Sequence, residues 1–207
     1  MDNQIDKLYH LTNIENCKQI LLDGKIRPRN HGTKAANGVR GNSAPGNFVH
    51  CNFCPKAPML WYLYQGRCLS ADRIFGQADA VYLELALSIA IFNLNLCESN
   101  SFTVTDCDVS VNGYRWKQMN GDDIDHCMGA IAGFVDVSEI NQVVNTIDAV
   151  EHPKKGAEFM VEREVDLDAA VLSIGVHDSA AQNRLLTEKT ISRLYGDKVF
   201  IKPEWYF

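Results

Sequence analysis

The sequence predicts one α+β domain spanning residues 1–207. Three observations predict it. Short stretches with strand-like alternation are intermixed with stretches of helical spacing, rather than segregated or strictly alternating. No segment repeats and none is of low complexity. At 207 residues and 46% hydrophobic content, the chain has the material for one sizeable core.

The elements follow in chain order. "LYHLTNIENCKQILLDGKI" opens with a strand at Leu8–Leu11. Thr12 then reads as a helix N-cap, with Glu15 three residues later in the capping-box position. Ile14, Cys17, Ile20 and Leu21 share one helical face, and Gly24 ends the helix. Residues 27–47 hold four glycines, two prolines and four asparagines with almost no large apolar side chain. They read as a long irregular loop of the kind that carries function. Arg27, Arg29, Lys34 and Arg40 make it basic.

"FVHCNFC" is a strand, and in "PKAPMLWYLYQG" Pro58 is placed to start a helix. "AVYLELAL" and "SFTVTD" are strands. "GDDIDHCMGAIAGFV" and "SEINQVVNTIDAV" are helices, the second capped by Ser138. Strands at 157–165 and 170–176, a helix at 181–195 and a strand "KVFI" precede the tail "KPEWYF".

Charge and composition narrow the function classes. Net charge is −6, yet residues 1–75 carry a net +5 and residues 76–207 a net −11. A polyanion would be steered toward the N-terminal third, although a solvated surface explains the same asymmetry. No apolar run reaches the ~18 residues of a membrane span, and "MDNQIDKLYH" lacks a signal-peptide core. The seven cysteines are odd in number and scattered, which fits reduced thiols in the cytoplasm better than a disulfide framework. Cys51 and Cys54 form a C-x-x-C with no second ligand pair at usable spacing, so they read as packing residues and no metal is expected.

Two residues raise a question of chemistry. In "KKGAEFMVEREV", alternation puts Glu158, Met160, Glu162 and Glu164 on one strand face, opposite Phe159, Val161, Arg163 and Val165. Glu158 therefore faces either solvent or a site. His10, just before a helix start, reads as a structural hydrogen-bonder or as a group beside an anion-binding helix end.

The combination of four short boxes decides between these readings. Tyr9-His10-Leu11-Thr12, the box from Cys54 to Leu60, the strand from Ala157 to Val161, and the ending Glu204-Trp205-Tyr206-Phe207 occur in this order. Together they resemble the DarT family, bacterial toxins that ADP-ribosylate nucleobases of single-stranded DNA with NAD as donor. The resemblance implies a compact ADP-ribosyltransferase-like fold, with two packed β-sheets around an NAD cleft and flanking helices. It maps the catalytic carboxylate onto Glu158. It maps NAD-holding residues onto His10, Thr12, Pro55, Lys56 and Met59, and it assigns a catalytic, phosphate-binding arginine of the first long loop to Arg40, ahead of Arg27 and Arg29.

Lys154 and Lys155, beside the catalytic strand, are the expected phosphate contacts for the nucleic acid, and Trp61, Tyr62, Tyr64, Tyr114 and Trp116 are candidate base-stacking rings. For Trp61 and Tyr64, core packing is the expected role. The family's arginine and serine in the second box are replaced by Lys56 and Ala57, and its aromatic pair by Cys51 and Asn52. The target base, and DNA against RNA, stay open on the sequence. The resemblance also implies an antitoxin partner, a macrodomain protein in the usual arrangement, and a role in toxin–antitoxin or phage-defence systems. Two other readings remain: a transferase acting on protein or a small molecule, and a non-catalytic binding module.

Overall fold

Seven consecutive buried or half-buried residues, AVYLELA, form a strand covered on both faces, and the fold is organised around it. The computed structural model describes residues 5–28, 48–56, 60, 63–64, 69–70, 73–74, 76–96, 101–107, 114–136, 140, 156–162 and 164–207. The strands are β1 (Lys7–Asn13), β2 (Lys25–Ile26), β3 (Val49–Asn52), β4 (Leu69–Ser70), β5 (Arg73–Ile74), β6 (Ala80–Ala86), β7 (Ser101–Thr105), β8 (Trp116–Asn120), β9 (Glu158–Val161), β10 (Val165–Asp166), β11 (Val171–Val176) and β12 (Val199–Ile201). The α-helices are α1 (Ile14–Asp23), α2 (Leu87–Asn95), α3 (Ile124–Ala132), α4 (Ser179–Leu186) and α5 (Lys189–Tyr195).

Eight strands join in the order β12-β11-β6-β1-β3-β9-β7-β8. The sheet has two halves. β1 pairs with β6 over seven positions and β3 with β9 over four, but β1 and β3 meet at a single pair, Tyr9↔Asn52. The expected pair of sheets thus takes the form of two four-stranded halves hinged on one bridge. The core of aliphatic and aromatic side chains lies between the sheet and the helices, and includes Leu8, Ile14, Leu83, Leu85, Phe102, Phe159 and Ile174.

A second, smaller cluster joins the two ends of the sequence. Trp205 and Tyr206 are buried with Tyr82, Leu60 and Ala80, and Tyr9 packs against them. Trp205 meets Tyr9 edge-on at 5.3 Å and Tyr82 at 6.0 Å. The Tyr206 hydroxyl lies 2.9 Å from the Gly175 carbonyl and 3.0 Å from that of Ala80.

Several elements differ from expectation. β1 runs two residues past Leu11 because Thr12 and Asn13 still pair with Val81 and Ala80 of β6. Asn13, not Thr12, therefore caps α1, its side chain accepting from the Asn16 amide at 2.9 Å. Gly24 ends α1 as expected, at φ 68°, where a Cβ would be strained.

The strand expected at 157–165 stops at Val161, and Glu162 lies exposed in a bend. Val165–Asp166 instead pairs with β2. Glu164 is drawn into ion pairs with Lys25 and with Arg27, whose Nε lies 3.5 Å away. The alternation therefore does not carry beyond β9, and Phe159, Met160 and Val161 are all buried.

The helix expected at 181–195 is two, because Thr187 turns back to the Arg184 carbonyl and Glu188 caps a new start. Helix α2 and edge strand β8 were not anticipated. The apolar stretch of α2 follows the expected strand without a break signal and is assigned to no element by the sequence, and β8 buries only Met119, so it shows no alternation. Of the helix expected at 138–150 only Ile140 is described, and it is helical. Most of loop 27–47 lies outside the described residues.

Candidate active site

Glu158 opens β9, one strand from the seam between the half-sheets. Its amide N–H donates to the Thr105 hydroxyl of β7 at 3.0 Å, and Asn52 of β3 stands directly opposite. Both neighbouring strands thus fix the start of β9. The side chain is 17% exposed, so it is neither in bulk water nor sealed. Its Oε2 accepts from His50 Nδ1 at 3.0 Å. Among the described residues no group bonds Oε1.

His10 is the second member. Its Nδ1 lies 2.9 Å from the carbonyl of His50, which only accepts, so Nδ1 carries the proton. The bond crosses the seam just beyond the Tyr9↔Asn52 bridge. The residue is half-buried. Burial lowers its pKa from the ordinary value; the bond to His50 opposes that, and the nearby His50 ring adds to the lowering. A neutral ring with Nδ1 protonated leaves Nε2 as an acceptor. Thr12 is two residues on, on the same strand face, and half-buried.

Pro55 and Lys56 follow β3 and are half-buried. Lys56 adopts φ 60°, a left-handed conformation rare for a residue with a side chain. Its ammonium lies 5.8 Å from the centre of the Phe207 ring. The Phe207 backbone is bracketed by Gln77, which donates to its carbonyl at 2.5 Å and accepts from its amide at 3.0 Å. The second and fourth sequence boxes therefore meet. Met59, Arg40, Lys154 and Lys155 lie outside the described residues, as do Arg29, Trp61 and Tyr62. Arg27 is engaged by Asp23 at 2.5 Å and by Glu164.

Cys51 and Cys54 are both buried, and neither is in a disulfide. Burial, and then the charge of Glu158, push the Cys51 thiol up to about 12, so it stays protonated as a packing group. Among the described residues no three His, Cys, Asp or Glu side chains are placed to hold a metal. Tyr64, expected in the core, is half exposed against Phe207.

His50 is the contact sequence reasoning missed. A histidine in a four-residue strand gives no local signal; only the β3–β9 register brings it diagonally across from Glu158 on one face. Asn52 and Thr105 were missed for the same reason.

Glu84 is a second carboxylate on the sheet, and its surroundings set it apart. Burial pushes its pKa up, but bonds from Ser173 (2.6 Å), Lys7 (3.0 Å) and Tyr9 (3.2 Å) outweigh that and hold it below the ordinary value. Its oxygens are committed to protein donors, whereas Glu158 keeps one oxygen unbonded among the described residues.

Comparison with known proteins gives this arrangement a family. A family model described as "ssDNA thymidine ADP-ribosyltransferase, DarT" matches residues 9–207. No curated protein matches the chain. Among solved structures, the DarT of Thermus sp. 2.9 in complex with NAD+ superposes at TM-score 0.69 with 22% identity, covering 98% of both chains. The same protein in complex with ADP-ribosylated ssDNA gives TM-score 0.70 and 20% identity, covering 98% of this chain and 97% of that one. The DarTG of Thermosipho africanus in complex with ADP-ribose gives TM-score 0.62 and 17% identity, over 98% of this chain and 51% of that one. At these identities the structures show a shared ADP-ribosyltransferase-like fold, and the family match over nearly the whole sequence supplies the rest. The chain belongs to the DarT family of ssDNA thymidine ADP-ribosyltransferases and is an enzyme of that class.

Proposed function

We propose that this chain transfers ADP-ribose from NAD to thymine in single-stranded DNA, with Glu158 as the catalytic carboxylate. The observation that carries this is the state of Glu158: 17% exposed, anchored through Oε2 to His50, with Oε1 unbonded among the described residues.

The chemistry needs such a group. When the bond between nicotinamide nitrogen and C1″ of the donor ribose breaks, its electron pair leaves with nicotinamide. Positive charge then develops on the sugar, as it does in glycoside hydrolysis. A carboxylate oxygen aimed at that sugar stabilises the charge, a contribution of order ~3–4 kcal/mol. The attacking ring nitrogen of thymine carries a proton, and the same oxygen accepts it as the bond to C1″ forms. The target base must be out of a duplex for the nitrogen to reach C1″.

The neutral His10 offers Nε2 to a ribose hydroxyl or the nicotinamide amide, and the Thr12 hydroxyl lies one step further along β1. Pro55, Lys56 and Met59 line the nicotinamide side in this reading. Arg40 and the first turn of α1 are proposed to receive the NAD diphosphate, and Lys154 and Lys155 the phosphates of the DNA strand.

The proposed setting is the cytoplasm, where both substrates are available. There the enzyme acts as a toxin restrained by an antitoxin that removes ADP-ribose, proposed as a macrodomain protein. The Thermosipho africanus protein named DarTG, about twice as long as this chain, motivates looking for such a partner. A place in phage defence is proposed on the same footing.

The test uses labelled NAD with matched single-stranded DNA and RNA oligomers. The expected result is label on thymine-containing DNA, lost by about 10³-fold in Glu158→Gln. Label on RNA alone would replace the substrate. Label on neither, with protein in a lysate labelled instead, would overturn the reading.

A further inference from the structure

We propose that His50 is a positioning residue that aims the Glu158 carboxylate. The inference rests on Glu158 being the catalytic acid.

Three observations carry it. His50 and Glu158 lie diagonally across the β3–β9 ladder, since Asn52 faces Glu158 and His50 faces Met160. Both side chains rise from the same sheet face, within the reach of long side chains at diagonal positions. Their contact is direct, Nδ1 to Oε2 at 3.0 Å, with exposures of 29% and 17%. An ionised carboxylate only accepts, so Nδ1 is the donor whether the ring is neutral or charged.

The consequence is one of preorganisation. A glutamate has three side-chain torsions, and an untethered carboxylate at a partly open site samples several orientations. Tying Oε2 down removes most of that freedom and leaves Oε1 as the oxygen with no bond among the described residues. Misplacing a catalytic group by about 1 Å costs of order 10² in rate.

His50 does this from a second fixed point. Its own carbonyl accepts from His10 Nδ1 at 2.9 Å, across the seam. One residue thus links the neutral histidine on β1 to the acid on β9, through its backbone on one side and its ring on the other. Side-chain substitution at position 50 removes the ring contact and leaves the carbonyl.

Two substitutions test it. In His50→Asn the side-chain amide nitrogen takes the place of Nδ1; His50→Leu fills similar volume without a donor. With wild-type melting temperature checked for both, His50→Leu is expected to lower kcat on a thymine-containing oligomer about 10²-fold, with KM for NAD within about threefold. His50→Asn is expected to recover to within about tenfold of wild type. Unchanged kcat in His50→Leu, or no recovery in a folded His50→Asn, overturns the positioning role.

A spectroscopic arm is independent of turnover. In ¹⁵N-labelled protein the His50 Nδ1–H signal is expected to shift in Glu158→Gln, and an unmoved signal overturns the contact. Failure of the underlying reading looks different, because Glu158→Gln would then keep its rate.

Discussion

His10 shows how burial turns a common residue into a specific one. Burial disfavours the imidazolium, so the folded pKa lies below the ordinary ~6.5 of the unfolded chain. Between those two values the unfolded protein binds the extra proton first, and stability rises with pH. The stabilisation is therefore complete above about 6.5 and lost as pH falls toward the folded value. His10→Asn keeps a donor for the His50 carbonyl but cannot titrate. Between about pH 7.5 and pH 5.5 the melting temperature of wild type is expected to fall further than that of His10→Asn. Parallel falls in the two proteins would show that the ring takes up its proton without cost.

Strand register does at the level of elements what no single residue does. Asn52 stands opposite Glu158, Thr105 accepts from the Glu158 amide, and Trp116 stands opposite Thr105. These pairings place Trp116 on the same face as Glu158, two strands away, or about 10 Å. The ring is 61% exposed on an edge strand, whose entry is pinned by Arg115 bonding Asp106 at 2.6 and 2.7 Å.

If Glu158 is the catalytic acid, an exposed indole at that range is expected to stack a base flanking the target, a contact worth ~1–3 kcal/mol per base. Trp116→Ala is expected to raise KM for a DNA oligomer about tenfold or more, while hydrolysis of NAD without DNA stays unchanged. Equal losses in both assays would assign Trp116 to the fold. The sequence marked Trp116 as an aromatic but not as a neighbour of Glu158, because β8 has no alternation to give its register.

The two ends of the sequence are packed together across the whole molecule. Ideal Cβ geometry at Gly175 would put a methyl 2.3 Å from the Trp205 ring, and that ring is boxed in by Tyr9 and Tyr82. Gly175→Ala is therefore expected to cost about 1–3 kcal/mol as overpacking. Trp205→Ala is expected to cost about 3–5 kcal/mol as a cavity, both read from denaturant midpoints. A glycine variant as stable as wild type would mean that the Trp205 edge slides at no cost. Tyr9 precedes His10 on β1, and Trp205 packs on Tyr9, so the C-terminal aromatic cluster helps set the strand that carries His10.

What the sequence determined by itself was local chemistry and local pattern. Glu158 and His10 stood out through their motifs, Gly24 through its need for a left-handed φ, and β6 and β11 through short, largely apolar runs. Those signals are short-range, so they survive in one dimension. The tertiary structure decided everything that depends on which strand lies beside which. It set Asn13 rather than Thr12 as the cap, because β6 extends β1 by two pairs. It ended β9 at Val161 and turned Glu164 into a partner of Lys25 and Arg27. It placed His50 against Glu158, a contact between residues 108 apart in the chain that only the β3–β9 ladder makes. Pairing between distant strands is a property of the packed sheet, and no window of sequence contains it.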